Sequence, residues 1–393
     1  MASPPVSASA TTADLAPRPR TSRAAWLWRI HRLCGLGGAV FILIISLTGG
    51  LLVVDEDIET LLAPGRHHIA ATTADQPRLS LDAQASRLAA AFPEHRVAYL
   101  EPSPDPARTT RATLVDADGR EYMSTLDPHS GHAHPLLSAE RSLGHFLITL
   151  HYTFFLGPTG EVIALLASVL MLVAAITGFW FYRGALRGLF RLPLRRGRNL
   201  RAALGSLHRW VGVSTLLMQL VLGGTGLWFM IEILPDTFAS PAPKEKDASA
   251  PAFPLAELVS LDALAAHIRQ TFPDGEILYL ALPLHEGDPV ISRVLHREAP
   301  VWQKRSRFKF EPRTGAVLEW IDARERPAAD QASSILGPLH FGSFGAVWVK
   351  WLYAITGFAP ALLTVTGTWI WWRRTRKTAA GATPAPVVPT SPR

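Results

Sequence analysis

The residues of this chain with the clearest capacity for chemistry are four histidines that recur in two patterns beside long apolar segments. His31 and His208 each precede a Thr-Gly pair by 17 and 18 residues. His151 and His340 each precede such a pair by 26 and 27 residues. In the same order, the pairs are Thr48-Gly49, Thr225-Gly226, Thr177-Gly178 and Thr366-Gly367. The repeated offsets indicate an internal duplication that relates the histidines two by two.

Histidines related in this way are suited to holding haem. A neutral imidazole is a common axial ligand of haem iron, and two imidazoles give a six-coordinate site suited to electron transfer. The pattern therefore predicts two haem b groups per chain. His31 and His208 are the predicted axial ligands of one haem iron, and His151 and His340 those of the other.

Residues next to the first histidine pair fit a flat, anionic macrocycle. Gly35 and Gly212 each follow a histidine by four residues, one helical turn along the same face, where a missing side chain lets a ring approach the backbone. Arg32 and Arg209 directly follow the histidines and are predicted to pair with the haem propionates.

His145 has no histidine counterpart, because the aligned residue in the second copy is Ser334. It lies six residues before His151, too far round a helix to share its face. Three roles remain open for it: replacing His151 as the outer ligand, lining a substrate path, or no special function.

The Thr-Gly pairs themselves predict close helix packing. Small residues let membrane-spanning backbones approach each other, and a threonine hydroxyl can hydrogen-bond within or between helices.

Four uncharged stretches are each long enough to cross a membrane as a helix, which requires about 20 residues. They span residues 33–54, 162–182, 210–231 and 351–372. Because 48% of the chain is hydrophobic and concentrated in these runs, the sequence predicts a polytopic membrane protein.

Charge is divided unevenly among the segments outside these stretches. Residues 1–32, 183–205 and 373–393 hold 17 Arg and Lys and one acidic residue, Asp14. By the positive-inside rule, both termini and the middle loop are cytoplasmic and the long loops 55–141 and 234–334 are exported. The excess of basic residues is therefore explained by the orientation of the chain in the membrane, and nucleic acid is not an expected partner.

The long loops repeat each other. Ser80-Leu81-Asp82-Ala83 recurs as Ser260-Leu261-Asp262-Ala263, and Tyr99-Leu100 recurs as Tyr279-Leu280. A serine N-cap followed by an apolar helix face, and then by alternating segments, predicts a small helix-on-sheet module in each loop.

With these motifs in place, the chain resembles the PepSY-associated transmembrane-helix family, also called iron-regulated inner-membrane proteins. The resemblance covers residues 26–376 and rests on His31-Arg32-x-x-Gly35, Leu150-His151, His208-Arg209, Leu339-His340-Phe341-Gly342 and the Thr-Gly pairs. It implies a bacterial inner-membrane haem protein, similar to reductases that release iron from ferric siderophores.

The predicted fold class is a membrane all-α four-helix transmembrane bundle, internally duplicated, with two small periplasmic α+β modules of the PepSY type. The predicted segments are a disordered tail 1–25, helix 26–54, module 55–141, interfacial segment and helix 142–182, basic loop 183–205, helix 206–233, module 234–334, interfacial segment and helix 335–374, and a disordered tail 375–393.

The predicted function is passage of electrons from the cytoplasmic side, or from quinol, to a periplasmic ferric siderophore. No nucleotide or dinucleotide motif is evident, so an external donor is expected, either a flavoprotein or a membrane quinol. The alternatives are a siderophore, iron or haem permease without redox chemistry, and a periplasmic peptidase-binding regulator. The duplication is compatible with a self-contained monomer in the lipid bilayer, since the two halves supply each other's ligands.

Overall fold

The structure is a computed structural model that describes residues 22–69, 77–182, 200–239 and 251–380. The predicted terminal tails and basic loop fall mostly on residues 1–21, 183–199 and 381–393, which lie outside this description.

The chain alternates between helical segments and a β-sheet region. The helices are α1 Ser22–Gly37, α2 Ala39–Leu52, α3 Asp55–Leu62, α4 Pro64–His67, α5 Leu81–Ala91, α6 Leu143–Tyr152, α7 Pro158–Tyr182, α8 Leu200–Ser214, α9 Leu216–Ala239, α10 Leu261–Thr271, α11 Ala328–Ser334, α12 Leu336–Phe341, α13 Val347–Gly357 and α14 Ala359–Ala380. The strands are β1 Arg96–Glu101, β2 Thr110–Val115, β3 Glu121–Leu126, β4 Leu137–Ser138, β5 Gly275–Ala281, β6 Val290–His296, β7 Arg305–Phe310 and β8 Val317–Ile321.

The predicted four-helix transmembrane bundle is wrong as a description of the membrane part. Within the described ranges, three helical stretches are long and apolar enough to span a membrane: Pro158–Phe181, Leu216–Pro235 and Val347–Arg376. The first apolar run instead forms two helices, α1 and α2, that meet at a bend of 65° and pass the same test only as a pair.

Glycine explains the break in the first apolar run. Gly35, Gly37 and Gly38 fall within four residues, and Gly38 separates the two helices. Glycine costs about 1 kcal/mol relative to alanine in a helix interior, and sharp kinks concentrate at such positions. A hydropathy count registers the apolar residues but not this local loss of helix propensity.

The prediction of two separate α+β modules is also wrong, because one antiparallel sheet of eight strands contains the strands of both halves. The strand order is β4-β3-β2-β1-β5-β6-β7-β8. The halves join where β1 pairs with β5, with Tyr99 opposite Ala281 and Leu100 opposite Leu280. Pairing these two edges removes exposed strand edges from the middle of the region.

The repeated Ser-Leu-Asp-Ala motifs cap each other's helices across the two halves. The Asp262 carboxylate accepts hydrogen bonds from the backbone N–H groups of Leu81 (3.0 Å) and Asp82 (3.1 Å). The Asp82 carboxylate accepts one from the N–H of Leu261 (2.7 Å) and one from the Ser260 hydroxyl (2.5 Å). Each aspartate therefore satisfies open backbone donors at the start of the other half's helix.

Helices α5 and α10 cover one face of the sheet and enclose a single core. Leu88 of α5, Ile268 of α10 and Phe308 of β7 are buried in one continuous cluster with Leu100 and Leu280 at the junction of the halves. Removing this much apolar surface from water is what holds the two halves together as one unit.

Candidate functional site

The structure brings the four predicted histidines together in two facing pairs. His31 of α1 and His208 of α8 have ring centroids 6.4 Å apart, with an interplanar angle of 86°. His151 of α6 and His340 of α12 have ring centroids 6.3 Å apart, with an angle of 61°. Each pair takes one histidine from each half of the chain.

The two separations can be compared with that of two imidazoles bound to one metal atom. Two metal–imidazole bonds of about 2 Å each, together with the ring radii, span about 6 Å between ring centres. Edge-to-face contact between two rings gives centroid separations of about 4.5–7 Å, so the spacing by itself fits both arrangements.

Every histidine of the two pairs is held through Nδ1 by the threonine of a Thr-Gly pair. The distances from Nδ1 to the threonine Oγ1 are 3.4 Å for His31 and Thr177, 3.0 Å for His151 and Thr48, 2.9 Å for His208 and Thr366, and 2.8 Å for His340 and Thr225. One contact thus occurs four times, in two separate sites.

The direction of these hydrogen bonds follows from the proton count of the threonine. Each of the four threonine hydroxyls donates its single proton to the backbone carbonyl four residues earlier, at 2.6–2.7 Å. The oxygen can then only accept from the imidazole. Nδ1 must carry the proton, and Nε2 keeps its lone pair.

Backbone carbonyls select the same tautomer. Nδ1 of His31 donates to the carbonyl of Ala174 at 2.9 Å. The carbonyls of Ile45, Leu363 and Leu222, which each lie three residues before the relevant threonine, interact with the rings of the other three histidines. A carbonyl oxygen has no proton to donate, so both acceptors favour an imidazole that is ready to bind a metal through Nε2.

The glycine of each Thr-Gly pair makes space for the same ring. A Cβ atom on Gly49 would lie 2.8 Å from Cε1 of His151. The corresponding distance is 3.1 Å from Gly178 to His31. It is 3.2 Å from Gly226 to His340 and also 3.2 Å from Gly367 to His208. Threonine therefore fixes the proton of the ring, and glycine fixes how closely the ring approaches its helix.

These contacts explain why the offsets repeat. The Thr-His hydrogen bonds lie within one half of the chain, whereas the His-His pairs join the two halves. The 17-residue offset puts a histidine of one pair and a threonine that holds the other pair on consecutive helices, α1 and α2 in the first half and α8 and α9 in the second. At about 1.5 Å per helical residue, the offset spans about 25 Å before bending, so it separates the two sites along the bundle.

A cavity of about 730 Å³ opens beside the first histidine pair. His31, His208 and all four of the neighbouring residues singled out from the sequence line it, namely Arg32, Arg209, Gly35 and Gly212. A Cβ on Gly35 would meet nothing within 4 Å, so open space lies directly against the helix there. The volume is within the range of ligand pockets, about 300–1,000 Å³.

One cation that lines this cavity was not anticipated from the sequence. Arg374 of α14 lines it together with Trp28, and the guanidinium groups of Arg374 and Arg32 lie 5.3 and 4.7 Å from the centre of the Trp28 ring. The cavity therefore combines an apolar interior with several cations. Arg374 escaped notice because it stands in a run of basic residues that the positive-inside rule already explains.

The second pair lies in the short helices α6 and α12, outside the spanning helices. Burial lowers the pKa of His151 and of His340 to about 4, so both rings are neutral near pH 7. A neutral imidazole is the form that binds a metal. Opposite His340, the structure places His151, whereas the side chain of His145 is exposed on the same helix.

The turn that follows His151 has an unusual backbone. Phe154 and Phe155 have φ angles of 52° and 58°, in the left-handed region that non-glycine residues rarely occupy. The ring of Phe154 packs on Phe41 of α2 with centroids 5.2 Å apart. Strain of this kind persists where packing over-determines the conformation, and here it joins the histidine-bearing helix α6 to α7.

Sequence reasoning assigned the Thr-Gly pairs to helix packing and to hydrogen bonds within or between helices, and it missed their contact with histidine. Thr48 and Thr366 do lie on spanning or bent helices, but the hydroxyl of each also reaches an imidazole. The signal that could have revealed this contact is the constant spacing of histidine and Thr-Gly, since packing alone does not require a histidine at a fixed distance.

Comparison with known proteins assigns the chain to a family of membrane proteins. The sequence pattern of the protein family described as the PepSY-associated TM region matches residues 28–374. A curated relative, the uncharacterized protein PA4219 of Pseudomonas aeruginosa, is 27% identical over 250 residues, which make up 58% of this chain and 63% of the relative. The chain thus spans about three fifths of that relative's length. On the extent of the family match, this membrane protein belongs to the PepSY-associated TM region family.

Proposed function

We propose that this chain is an inner-membrane di-haem b-type electron-transfer protein that reduces periplasmic ferric siderophores. Each ferric iron would accept one electron, drawn from quinol or from a cytoplasmic flavoprotein, and would leave its chelator as Fe(II). Oxygen-rich chelators hold Fe(II) less tightly than Fe(III), so reduction releases the iron for uptake.

The observation that carries this proposal is the doubled histidine pair. In both pairs, each Nδ1 is hydrogen-bonded to a threonine, and the ring centres are 6.3–6.4 Å apart. Two imidazoles supply two of the six ligands of an iron atom, and a macrocycle supplies the other four. The residues present therefore fit haem.

The chain's own groups account for binding and orientation of the proposed cofactor. When bound, haem supplies reversible one-electron chemistry at iron. His31 and His208 would hold its iron, the space beside Gly35 would admit the ring, and Arg32 and Arg209 would neutralise its carboxylates. Apolar lining residues of the cavity, such as Leu36, Met171 and Leu363, would exclude water from the ring.

Charge and fold support the proposed direction across the membrane. The basic segments are expected on the cytoplasmic side, and the eight-stranded sheet is formed by the two long loops expected on the opposite side. Helix α6, which bears His151, follows the strands of the first half, and α12, which bears His340, follows those of the second. The second pair is thus the one next to the proposed periplasmic substrate.

The deciding experiment is a haem count on detergent-purified protein produced with ample haem. The wild-type protein should give two b-type haems per chain by pyridine haemochrome and a dithionite-reduced spectrum. His31→Ala and His340→Ala should each lose one haem, and the lost haems should differ spectroscopically.

His145→Ala is the matched control, because it removes an exposed histidine from the helix that carries His151. It should keep both haems. A wild-type protein without haem absorbance would exclude the proposed function, and loss of the second haem in His145→Ala would move ligation from His151 to His145.

A further inference from the structure

Within the described residues, helices α5 and α10 cover one face of the sheet, whereas the opposite face of β6 and β7 is partly accessible. In β6, Val290, Ser292 and Val294 point toward the helix-covered core and are fully buried. The alternate residues Ile291 and Arg293 point to the opposite face and are partly accessible. We call this second surface, opposite α5 and α10, the open face.

Strands β6 to β8 carry a concentration of positive charge on the open face. Arg293 lies directly opposite Arg307, Ile291 opposite Lys309, and Leu295 opposite Arg305, which puts all four cations on the same side as Arg293. The carboxylate on the open face of these strands is Glu319, which pairs with both Arg307 and Lys309 at 2.6 Å. Positive charge therefore exceeds negative charge.

The charge excess is not needed to build the sheet. In the first half, Thr113 holds the place of Arg293, since Thr113 faces Tyr99 as Arg293 faces Tyr279. Met123 likewise holds the place of Arg307. Like charges directly opposite each other destabilise a strand pair, so Arg293 opposite Arg307 weakens the sheet that neutral residues form in the other half.

Aromatic rings border this basic surface. Tyr99 and Tyr279 lie at the junction of the two halves with ring centroids 5.7 Å apart and an interplanar angle of 76°. Tyr99 is 39% exposed, although it lies in the middle of the sheet. The junction therefore offers accessible rings next to the guanidinium group of Arg293, a combination that suits a flat, electron-rich anion.

Two contacts link the sheet to segments adjacent in sequence to elements of the second histidine site, namely α2, whose Thr48 contacts His151, and α12. Arg111, on the open face of β2, pairs with Glu56 of α3 at 3.4 Å, and α3 directly follows α2. In the second half, Ser334 of α11 donates a hydrogen bond to the carbonyl of Trp302, just before β7, at 2.9 Å. Helix α12, which bears His340, begins two residues after Ser334.

We infer that the open face of β6 and β7 docks an anionic, aromatic ferric chelate of the tris-catecholate class. Arg293, Arg305, Arg307 and Lys309 would attract its negative charge, and Tyr99 with Tyr279 would contact its rings. The inference deepens the proposed function by naming the substrate class, and it rests on that function. Charge complementarity selects this class over cationic trihydroxamate complexes.

The test uses gallium in place of iron, since Ga(III) forms the same chelates but is not reduced. Binding of a gallium tris-catecholate to the full-length, haem-loaded protein is measured by tyrosine and tryptophan fluorescence or by calorimetry. The double variant Arg293→Thr/Arg307→Met reproduces the residues of the first half and should weaken binding at least about tenfold. The affinity of the wild-type protein should also fall as salt is raised.

Arg269→Thr is the matched control, because Arg269 is exposed on α10, which covers the other face of the sheet. It should bind like the wild type. A cationic gallium trihydroxamate should show no dependence on Arg293 and Arg307.

Equal affinity of the wild type and the double variant would overturn the inference, as would equal weakening in Arg269→Thr. It would also be overturned if no gallium chelate bound and the double variant instead lost binding to anionic phospholipid vesicles, which would make the open face a lipid contact. Because gallium binding requires no electron transfer, failure of docking is distinguishable from failure of the proposed redox function, which the haem count measures.

Discussion

A single proton on each threonine determines the chemistry of the histidine beside it. Thr366 donates its proton to the carbonyl of Leu362 at 2.7 Å and accepts the Nδ1 proton of His208 at 2.9 Å. An acceptor at Nδ1 makes the imidazole a more basic ligand, which favours the oxidised metal.

Thr366→Val should therefore raise the midpoint potential of the haem proposed between His31 and His208 and weaken its binding about tenfold. A redox titration of the purified protein and a haem count measure the two effects. The carbonyl of Leu363 also interacts with this ring, which limits the change.

Thr364→Val provides the control on the same helix. Thr364 also lines the cavity, but its hydroxyl donates to the carbonyl of Pro360 at 2.8 Å and is not bonded to a histidine among the described residues. Equal potentials for the two variants would show that the threonine at 366 serves helix packing alone.

Glycine at position 49 allows the ring of His151 to lie close to helix α2. Gly49→Ala would put a Cβ 2.8 Å from Cε1 of His151, closer than nonbonded carbon atoms come. We expect His151 to shift away from His340 and the proposed second haem to be lost selectively, as a haem count with spectra would show.

Gly224→Ala is the comparison, because a Cβ at Gly224 would meet nothing within 4 Å. It should keep both haems. Retention of both haems in Gly49→Ala as well would mean that His151 does not need its present position.

At the scale of secondary structure, the exchanged helix caps tie the two halves of the sheet region together. Asp262→Ala removes the acceptor for two N–H groups of α5 and should destabilise the sheet region by about 1–2 kcal/mol. Thermal unfolding of the full-length protein and hydrogen exchange at α5 measure this change. Asp118→Ala, in an exposed turn, should have little effect.

The same helix caps predict that the stability of the sheet region depends on pH. Burial raises the pKa of Asp262, but hydrogen bonds from the N–H groups of Leu81 and Asp82 outweigh it, and the folded-state pKa lies below the ordinary value. A lowered folded-state pKa stabilises the fold above the unfolded-state value of about 4, and this stabilisation is lost as the pH falls through the folded-state pKa. Wild type should thus lose more stability below about pH 4 than Asp262→Ala, and parallel pH profiles would refute the assignment.

At the scale of the whole molecule, each half positions its own histidines but completes no site by itself. The Thr-His bonds lie within a half, and both His-His pairs cross between halves. Residues 1–190 and 191–393 produced as separate chains should therefore bind no haem alone.

Produced together in one membrane, the two chains should copurify and recover both haems, because the buried sheet junction and the helix contacts reassemble. Tagging one chain and counting haem in the purified complex measures this recovery. A haem bound stoichiometrically by either half alone would contradict the pairing across halves.

The sequence alone determined the features that depend on residue type and spacing along the chain. The apolar runs, the asymmetric charge, the duplication and the four candidate histidines follow from local pattern, because membrane insertion and helix periodicity act on consecutive residues. The partner of each histidine was also deducible, since a duplicated chain brings matching positions together.

Only the tertiary structure decided how the halves join and what the threonines do. Merging of the sheets depends on which edges meet in space, here β1 and β5, and no local pattern encodes that choice. The bend between α1 and α2 depends on whether the low helix propensity of the glycines outweighs the tendency of the apolar run to form one continuous helix, which hydropathy does not report. The bond from His151 to Thr48 links residues 103 positions apart, and its proton direction follows only from distances in three dimensions.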